Sequence, residues 1–183
     1  MKFTETKLKG AYVIEVEPLA DERGFFARSW CQKEFAEHGL NPNLVQCNIS
    51  FNLKKGTLRG MHYQAKPYQE AKLIRCTRGA IYQVVIDIRP DSFTFKQWVA
   101  VELTAENRKM LYVPKGMASG FQTLMDDTEV FYQMAEFYYS DSAKGLRWND
   151  PSFGVEWPNQ VLVISAPDKS HPLFNDFWVC DNQ

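Results

Sequence analysis

A succession of short stretches rich in β-branched and aromatic residues constrains the fold more than any other feature of this sequence. Turn signals separate these stretches, among them RG at 78–79, RPDS at 89–92, PKG at 114–116 and MDD at 125–127. Many short strands at such spacing are typical of an antiparallel sandwich or barrel, so we expect an all-β protein. The stretches are KLIRC, AIYQVVIDI, KQWVAVELT, KMLYVP, SGFQTLM, EVFYQMAEFYY and QVLVIS.

One helix is predicted ahead of these strands. Ser29 precedes Gln32 by three residues, which is the spacing of a capping box, and Gly39 stands where the helix could end. Further on, RWNDPSFGVEWP at 147–158 reads as loop and short helix. No repeat and no Pro/Gly-rich linker divides the chain, so we expect a single domain over residues 1–183, with short helices flanking the strands.

Composition excludes several classes of function. The net charge of −1 gives no general electrostatic basis for binding nucleic acid or an anionic membrane. No apolar run could span a bilayer, no signal peptide is expected, and the four cysteines lack CxxC spacing, which favours free thiols and a cytoplasmic location. The three histidines are far apart, without an HxH or HExxH pattern, so we expect no metal site.

The stretch TLRGMHYQ at 57–64 places a cation and a titratable ring on one predicted strand. Arg59 and His62 are three positions apart and should point to opposite faces, because side chains alternate along a strand. A bulge at Gly60 would place both on the same face. We therefore expect a bulge here and a binding site beside it.

Five motifs occur in an order that resembles the dTDP-4-dehydrorhamnose 3,5-epimerase family of nucleotide-sugar enzymes. They are DERGFF, GTLRGMHYQ, AKLIRCTRGAIYQVVIDIR, VPKGMASGF and RWNDPSFGVEWP, and the resemblance covers nearly the whole chain. It implies a jelly-roll barrel of the cupin type, a homodimer, and catalysis without a metal or organic cofactor. It also implies a nucleoside diphosphate-linked 4-keto-6-deoxyhexose as substrate. Removing a proton beside the ketone requires a base, a partner for the enolate oxygen and dry surroundings.

The resemblance implies catalytic roles for four residues. His62 matches the base, and Asp168 matches the carboxylate that orients it. Lys72 matches the cation near the keto oxygen, and Tyr132 matches the acid on the opposite face of the sugar. Without the motifs, His62 would read as a core histidine, Lys72 as a solvated edge lysine and Tyr132 as a packing residue.

Binding roles follow from the same resemblance. Arg59 matches the residue that holds the diphosphate, and Gln46 and Asn48 match polar contacts to the nucleotide. The DERGFF segment is expected to reach a partner chain and to place Arg23 and Phe26 near the base bound there.

Three positions depart from the family's pattern. Ser119 stands where a histidine is usual and Gln83 where an aspartate is usual, so a second histidine–carboxylate pair is replaced by neutral groups. Arg28 stands where a glutamate usually accepts a hydrogen bond from thymine. Arginine only donates, so Arg28 either recognises the acceptor-rich edge of cytosine, which would indicate a CDP-linked sugar, or is a solvated residue beside the helix.

The sequence therefore predicts an enzyme that epimerises a CDP- or dTDP-linked 4-keto-6-deoxyhexose. Because the second polar pair is missing, we expect inversion at C3, with C5 left open. The product would serve deoxysugar biosynthesis, for a surface polysaccharide such as the O-antigen of lipopolysaccharide or for a small molecule. A ketoisomerase and an inactive sugar-binding cupin are the alternatives. His38 and His171 receive no catalytic role.

Overall fold

Strands dominate the computed structural model, which describes residues 1–174. Its elements in chain order are β1 (Lys2–Glu5), β2 (Tyr12–Glu15), β3 (Leu19–Asp21), β4 (Gly24–Phe26), α1 (Gln32–Glu37), β5 (Gln46–Asn52), β6 (Thr57–Gln64), β7 (Lys72–Arg78), β8 (Ala80–Asp87), β9 (Trp98–Thr104), β10 (Met110–Val113), β11 (Met117–Thr123), β12 (Thr128–Met134), β13 (Ala143–Gly145), β14 (Val163–Ile164) and α2 (Ala166–Ser170). Among these residues, no helix is both long and apolar enough to cross a membrane.

Two six-stranded sheets form a jelly-roll barrel of the cupin type. The first has the order β1-β2-β10-β7-β12-β5. The second has the order β13-β6-β11-β8-β9, and β14 joins it by pairing in parallel with β6. A separate hairpin is formed by β3 and β4. The prediction of an all-β fold with short flanking helices is confirmed.

Apolar side chains fill the space between the sheets and also cover both outer faces. One cluster lies between the sheets, with Leu111 from the first and Val85 from the second. A second cluster packs residues 146–174 against the outside of the second sheet, and a third packs α1 through Phe35 against the outside of the first. Central strands such as β8 and β10 are therefore buried on both faces, which is why they read as continuous apolar runs.

Some local predictions were wrong. The capping box does not form, because α1 has Cys31 as its N-cap and no side chain caps it. Gly39 does end the helix: its φ is +70° and its N–H donates to Ala36 O at 3.0 Å. Residues 147–158 contain turns but no helix. Two predicted strands are shorter than expected, since β12 ends before residue 135 and β14 has only two residues. Residues 175–183, with Cys180, lie outside the described part of the chain.

The predicted bulge at Gly60 is confirmed. His62 pairs with Ser119 and Arg59 pairs with Phe121, so β6 uses one more residue than β11 over the same span. Both Arg59 and His62 are consequently exposed on one face of β6. The two strands are very close here, because a Cβ on Gly60 would lie 2.6 Å from Cα of Gly120.

Gly60→Ala should therefore lower the free energy of unfolding by about 3 kcal/mol, through a backbone clash and a φ of +124°. Gly24→Ala is the matched control: its φ is +127°, but nothing lies within 4 Å of the added Cβ. Gly24→Ala should lower the free energy of unfolding only by the cost of holding an alanine at positive φ, roughly 1–2 kcal/mol. Denaturant titration measures both, and equal losses would contradict a tight approach of β6 and β11.

Candidate active site

The sequence-predicted residues meet in a cavity of about 350 Å³ between the two sheets. Strands β5, β7 and β12 supply its wall on one side, and β6, β8 and β11 supply the other. Apolar side chains such as Ile74 and Val130 complete the lining and keep it partly dry. Six predicted residues line it: Arg59, His62, Lys72, Gln83, Ser119 and Tyr132.

A larger cavity, of about 500 Å³, is a weaker candidate for acid–base chemistry. Its lining includes the cations Lys9, Lys66, Arg89 and Lys115, but no histidine. Histidine is the side chain whose ordinary pKa lies nearest neutral pH, and lysine and arginine are protonated there. The cavity that contains His62 therefore offers the better site for proton transfer.

His62, which lines the cavity, forms a dyad with the buried carboxylate of Asp168. Nε2 of His62 lies 2.8 Å from Oδ1 of Asp168, and the N–H of Gly60 donates to Oδ2 at 3.3 Å. Asp168 is held in α2 because its N–H donates to Oγ of Ser165, the N-cap, at 3.1 Å. Burial raises the pKa of the Asp168 carboxyl, but the hydrogen bond and charge of His62 and the bond from Gly60 hold that pKa below its usual value.

This hydrogen bond selects the tautomer of His62. Asp168 only accepts, so Nε2 of His62 carries the proton, and Nδ1 holds the lone pair. The side chain of His62 is 46% exposed, so Nδ1 can meet a ligand. The geometry gives a base whose conjugate acid is stabilised by the carboxylate behind it.

His171, which received no role from the sequence, also contacts this carboxylate. Its Nε2 lies 3.5 Å from Oδ1 of Asp168, and its ring meets that of His62 edge to face with centroids 5.8 Å apart. Burial lowers the pKa of His171, and the charge of His62 lowers it further. The spacing Asp168-x-x-His171 at the end of a helix was the available sequence signal, since residues three apart share a helix face.

The geometry of His62, Asp168 and His171 suits a proton better than a metal ion. One potential ligand atom from each lies within 4.8 Å of the others, and no other such trio of His, Cys, Asp and Glu occurs in residues 1–174. The 2.8 Å between His62 and Asp168 is a hydrogen-bond distance. Tetrahedral zinc ligands, with bonds of about 2.0–2.2 Å, would be roughly 3.4 Å apart.

Lys72 and Tyr132 face the cavity from the first sheet. Tyr132 pairs with Ile74 and Met134 pairs with Lys72, which makes the two functional side chains diagonal neighbours. Nζ of Lys72 lies 2.6 Å from Oε1 of Glu70, and the Lys72 side chain is only 13% exposed, so it is not a solvated edge lysine. Burial raises the pKa of Tyr132, and the negative charge of Glu70 raises it further.

Glu70 was missed by the sequence reasoning. It is 8% exposed, and its Oε2 is buried without a hydrogen-bond partner among the described residues. No pattern in PYQEAK distinguishes it from a surface glutamate, and only the fold brings it to Lys72.

Arg59 is held so that part of its guanidinium stays available. Its Nε donates to Oδ1 of Asn52 at 2.7 Å, and the amide of Asn52 is fixed by donating to the backbone oxygens of Ser50 and Thr128. The two terminal nitrogens of Arg59 make no hydrogen bond within residues 1–174. A planar pair of donors in this position suits phosphate oxygens.

Gln83 and Ser119 give the opposite wall a neutral, hydrogen-bonding character. The amide Nε2 of Gln83 donates to the backbone oxygens of Gly120 at 2.9 Å and Val84 at 3.2 Å. These bonds fix the amide, so Oε1 is the atom left, and it is buried without a partner. Ser119 is 6% exposed beside it. This wall can accept a hydrogen bond from a ligand hydroxyl, but it carries no charge.

Three predicted binding residues lie away from the cavity of their own chain. Arg23 pairs with Asp21 in the β3–β4 hairpin, and Phe26 is 72% exposed there. Arg28 donates from Nη1 to Oε1 of Glu34 at 3.0 Å, beside α1, and its side chain is 63% exposed.

Gln46 and Asn48 lie on β5, the edge strand next to the cavity, and do not line it. Oε1 of Gln46 accepts a hydrogen bond from the N–H of Tyr138, and Nδ2 of Asn48 donates to Sδ of Met134 at 3.3 Å.

Comparison with known proteins agrees with this geometry. The family model described as dTDP-4-dehydrorhamnose 3,5-epimerase matches residues 5–176. The enzyme of that name from Shigella flexneri is 41% identical over 177 residues, which cover 96% of this chain and 97% of the relative. Its namesake from Bacillus anthracis, solved with TDP and PPi bound, superposes with a TM-score of 0.91 at 40% identity, covering 94% and 99% of the two chains.

A further solved structure is ChmJ, a 3'-monoepimerase from Streptomyces bikiniensis, in complex with dTDP-quinovose. It is 29% identical, with a TM-score of 0.84 and coverage of 92% of this chain and 85% of ChmJ. The match to the family model, over residues 5–176, includes the strands that line the cavity and the segment that contains Asp168. This chain therefore belongs to the dTDP-4-dehydrorhamnose 3,5-epimerase family.

Proposed function

We propose that this protein epimerises a nucleoside diphosphate-linked 4-keto-6-deoxyhexose at C3 through an enolate. The observation that carries the proposal is the placement of the His62–Asp168 dyad in one cavity with Lys72 and Tyr132. The names of the relatives support the reaction class, since they include 3,5-epimerases and a 3'-monoepimerase.

The proposed reaction is two proton transfers. Nδ1 of His62 removes the proton from C3, and Asp168 stabilises the resulting imidazolium. Electrons move from the C3–H bond to the keto oxygen, where Lys72 stabilises the negative charge. Tyr132 then protonates C3 on the opposite face, and the ketone re-forms. The raised pKa of Tyr132 keeps the phenol protonated until that step. Exchange with solvent resets both side chains.

Restriction to C3 follows from the chemistry of the cavity wall. The cavity contains one histidine and one tyrosine, and the wall at Gln83 and Ser119 has no ionisable group that could polarise the sugar in a second orientation. Positioning contributes much of the rate in such reactions, so a wall that serves one orientation favours one carbon.

The reaction run in deuterium oxide should place label at C3 and little at C5. His62→Asn should lower the rate of labelling by about 10²–10⁴-fold, the usual contribution of a general base, while nucleotide affinity changes little. Mass spectrometry and NMR of the sugar provide the measurement. Equal labelling at both carbons would show a 3,5-epimerase, a relocated carbonyl would show a ketoisomerase, and no label with either nucleotide would contradict catalysis.

We also propose a homodimer in which the β3–β4 hairpin reaches the partner's cavity. The hairpin presents exposed apolar side chains, with Leu19 71% and Phe26 72% exposed. The rim of the cavity does the same, with Ile49 65% and Phe51 43% exposed. Apolar surface on both the β3–β4 hairpin and the cavity rim favours contact between two copies of the chain. This contact would bring Arg23 and Phe26 to a base bound in the partner's cavity.

Sedimentation should therefore give about twice the chain mass of 21.2 kDa. The double variant Leu19→Ser with Phe26→Ser should shift the protein towards monomer and should also weaken nucleotide binding. Dimer formation and nucleotide binding both depend on the β3–β4 hairpin in this proposal. A monomeric wild type with full activity would contradict the proposal.

We further propose that Arg28 selects the base through the partner's site and that the enzyme prefers CDP to dTDP. Donors on Arg28 suit the acceptor edge of cytosine, so CDP should bind about tenfold more tightly, since a mispaired buried polar group costs roughly 1–3 kcal/mol. Arg28→Glu should narrow or reverse this preference in calorimetry. Lys33→Glu, on exposed α1, makes the same change of charge as a control. Equal affinities in the wild type would leave Arg28 as a partner of Glu34 only.

The remaining proposals concern setting and cofactors. We place the reaction in the cytoplasm, where the free thiols of Cys31, Cys47 and Cys76 stay reduced. The chemistry balances with protein side chains and solvent alone, so the mechanism invokes no metal and no organic cofactor.

A further inference from the structure

Two histidines converge on one carboxylate oxygen at the base of the cavity. Oδ1 of Asp168 lies 2.8 Å from Nε2 of His62 and 3.5 Å from Nε2 of His171. The reaction proposed above uses His62 and Asp168, and it gives His171 no task. A carboxylate oxygen has two lone pairs, so the same atom can serve both rings.

The position of His171 is built into the fold. β13 places Gly145 opposite His62, and a Cβ at Gly145 would lie 2.2 Å from Nε2 of His171. The ring therefore occupies space that exists only because residue 145 has no side chain. Arg147 holds the neighbouring backbone through two hydrogen bonds. Its Nε donates to the backbone oxygen of His171 at 2.9 Å, and its backbone N–H donates to the backbone oxygen of Pro172 at 3.1 Å.

The Nε2 atom of His171 has one candidate partner. It is buried and makes no hydrogen bond of good geometry within residues 1–174. Oδ1 of Asp168 is an acceptor 3.5 Å away, slightly farther than in a usual hydrogen bond. A buried polar atom without a partner is costly, which favours this use of the carboxylate.

We propose that His171 is a positioning residue of the base, which shares Oδ1 of Asp168 with His62 and competes with it for that carboxylate. The proposal rests on the function assigned above only in naming His62 as the base. The sharing of the carboxylate is a property of the free protein.

The expected competition between the two histidine rings for Asp168 follows from charge. One carboxylate can neutralise one imidazolium, so a second proton on this trio meets a positively charged ring whose centroid is 5.8 Å away and is disfavoured. A neutral His171 has a similar effect. A hydrogen bond from its N–H to Oδ1 of Asp168 would weaken the interaction of that oxygen with protonated His62. Burial and the charge of His62 lower the pKa of His171, while Asp168 opposes them.

His62 also faces the ionisable groups of the cavity, where Arg59, Lys72 and Tyr132 are lining residues and Glu70 pairs with Lys72. In the part of the chain that the structure describes, α2 presents Asp168 to the His171 ring and β6 presents His62. β13 presents Gly145, and Arg147, just after β13, contacts only the backbone oxygen. His62 and His171 are the two titratable rings that contact Asp168 directly.

Histidine NMR tests this directly, because the sequence has only three histidines. Single variants assign the ring signals. In His171→Phe, which keeps a ring over Gly145, the titration midpoint of His62 should rise by about one pH unit. In His62→Asn, the midpoint of His171 should rise in turn. His38→Phe is the matched control, since His38 stacks on Phe3 at 3.9 Å, away from the cavity. His171→Leu, which has no hydrogen-bond donor, repeats the test should the phenylalanine variant fail to fold.

A His62 midpoint that moves no more in the His171 variants than in His38→Phe would overturn the proposal. The acid limb of the labelling rate should move to higher pH by the same amount as the His62 midpoint. If the midpoints are coupled but the acid limb stays in place, His62 is not the base, and the proposed function fails while the shared carboxylate stands. The two failures are thus distinct.

Discussion

The site depends on the contact between β6 and β11 at Gly60 and Gly120. A regular strand would send Arg59 and His62 to opposite faces, and one of them would be buried behind the sheet. The extra residue in β6 brings both into the cavity, and only glycines allow the strands to approach so closely. The N–H of Gly60 at this bulge donates to Asp168, so one irregularity is associated with the placement of Arg59, His62 and the carboxylate that His62 contacts.

Both carboxylates at the site are paired and nearly inaccessible. Asp168 is 6% exposed behind His62, and Glu70 is 8% exposed beside Lys72. They support the charge of their partners without presenting negative charge to an incoming anion. A diphosphate at the mouth would meet Arg59 and Lys72, while the wall at Gln83 and Ser119 stays neutral. The cavity is thus attractive to anions even though the protein as a whole has a net charge of −1.

The sequence predicted the parts of this structure that local patterns determine. Strand composition indicated the sheets, and Gly60 between Arg59 and His62 indicated the bulge. The motifs predicted six of the residues that line the cavity, but Arg23, Phe26, Arg28, Gln46 and Asn48 do not line it. Long-range packing was beyond such reasoning. The contact of Glu70 with Lys72 appears only in the fold, and the spacing of His171 from Asp168 does not reveal that Gly145 makes room for the ring. The capping box failed for a related reason, because the chain enters α1 at Cys31 and leaves Ser29 outside.

The order of the dyad along the chain has a consequence for biosynthesis. His62 lies on an early strand, whereas Asp168 follows 106 residues later, on a short helix that docks against β6 after β14 has paired with it. Translation proceeds from the N-terminus, so a nascent chain can assemble most of both sheets while the histidine still has no carboxylate. A nascent chain that stops before α2 therefore has His62 in place on β6 without the carboxylate that it contacts in the folded protein.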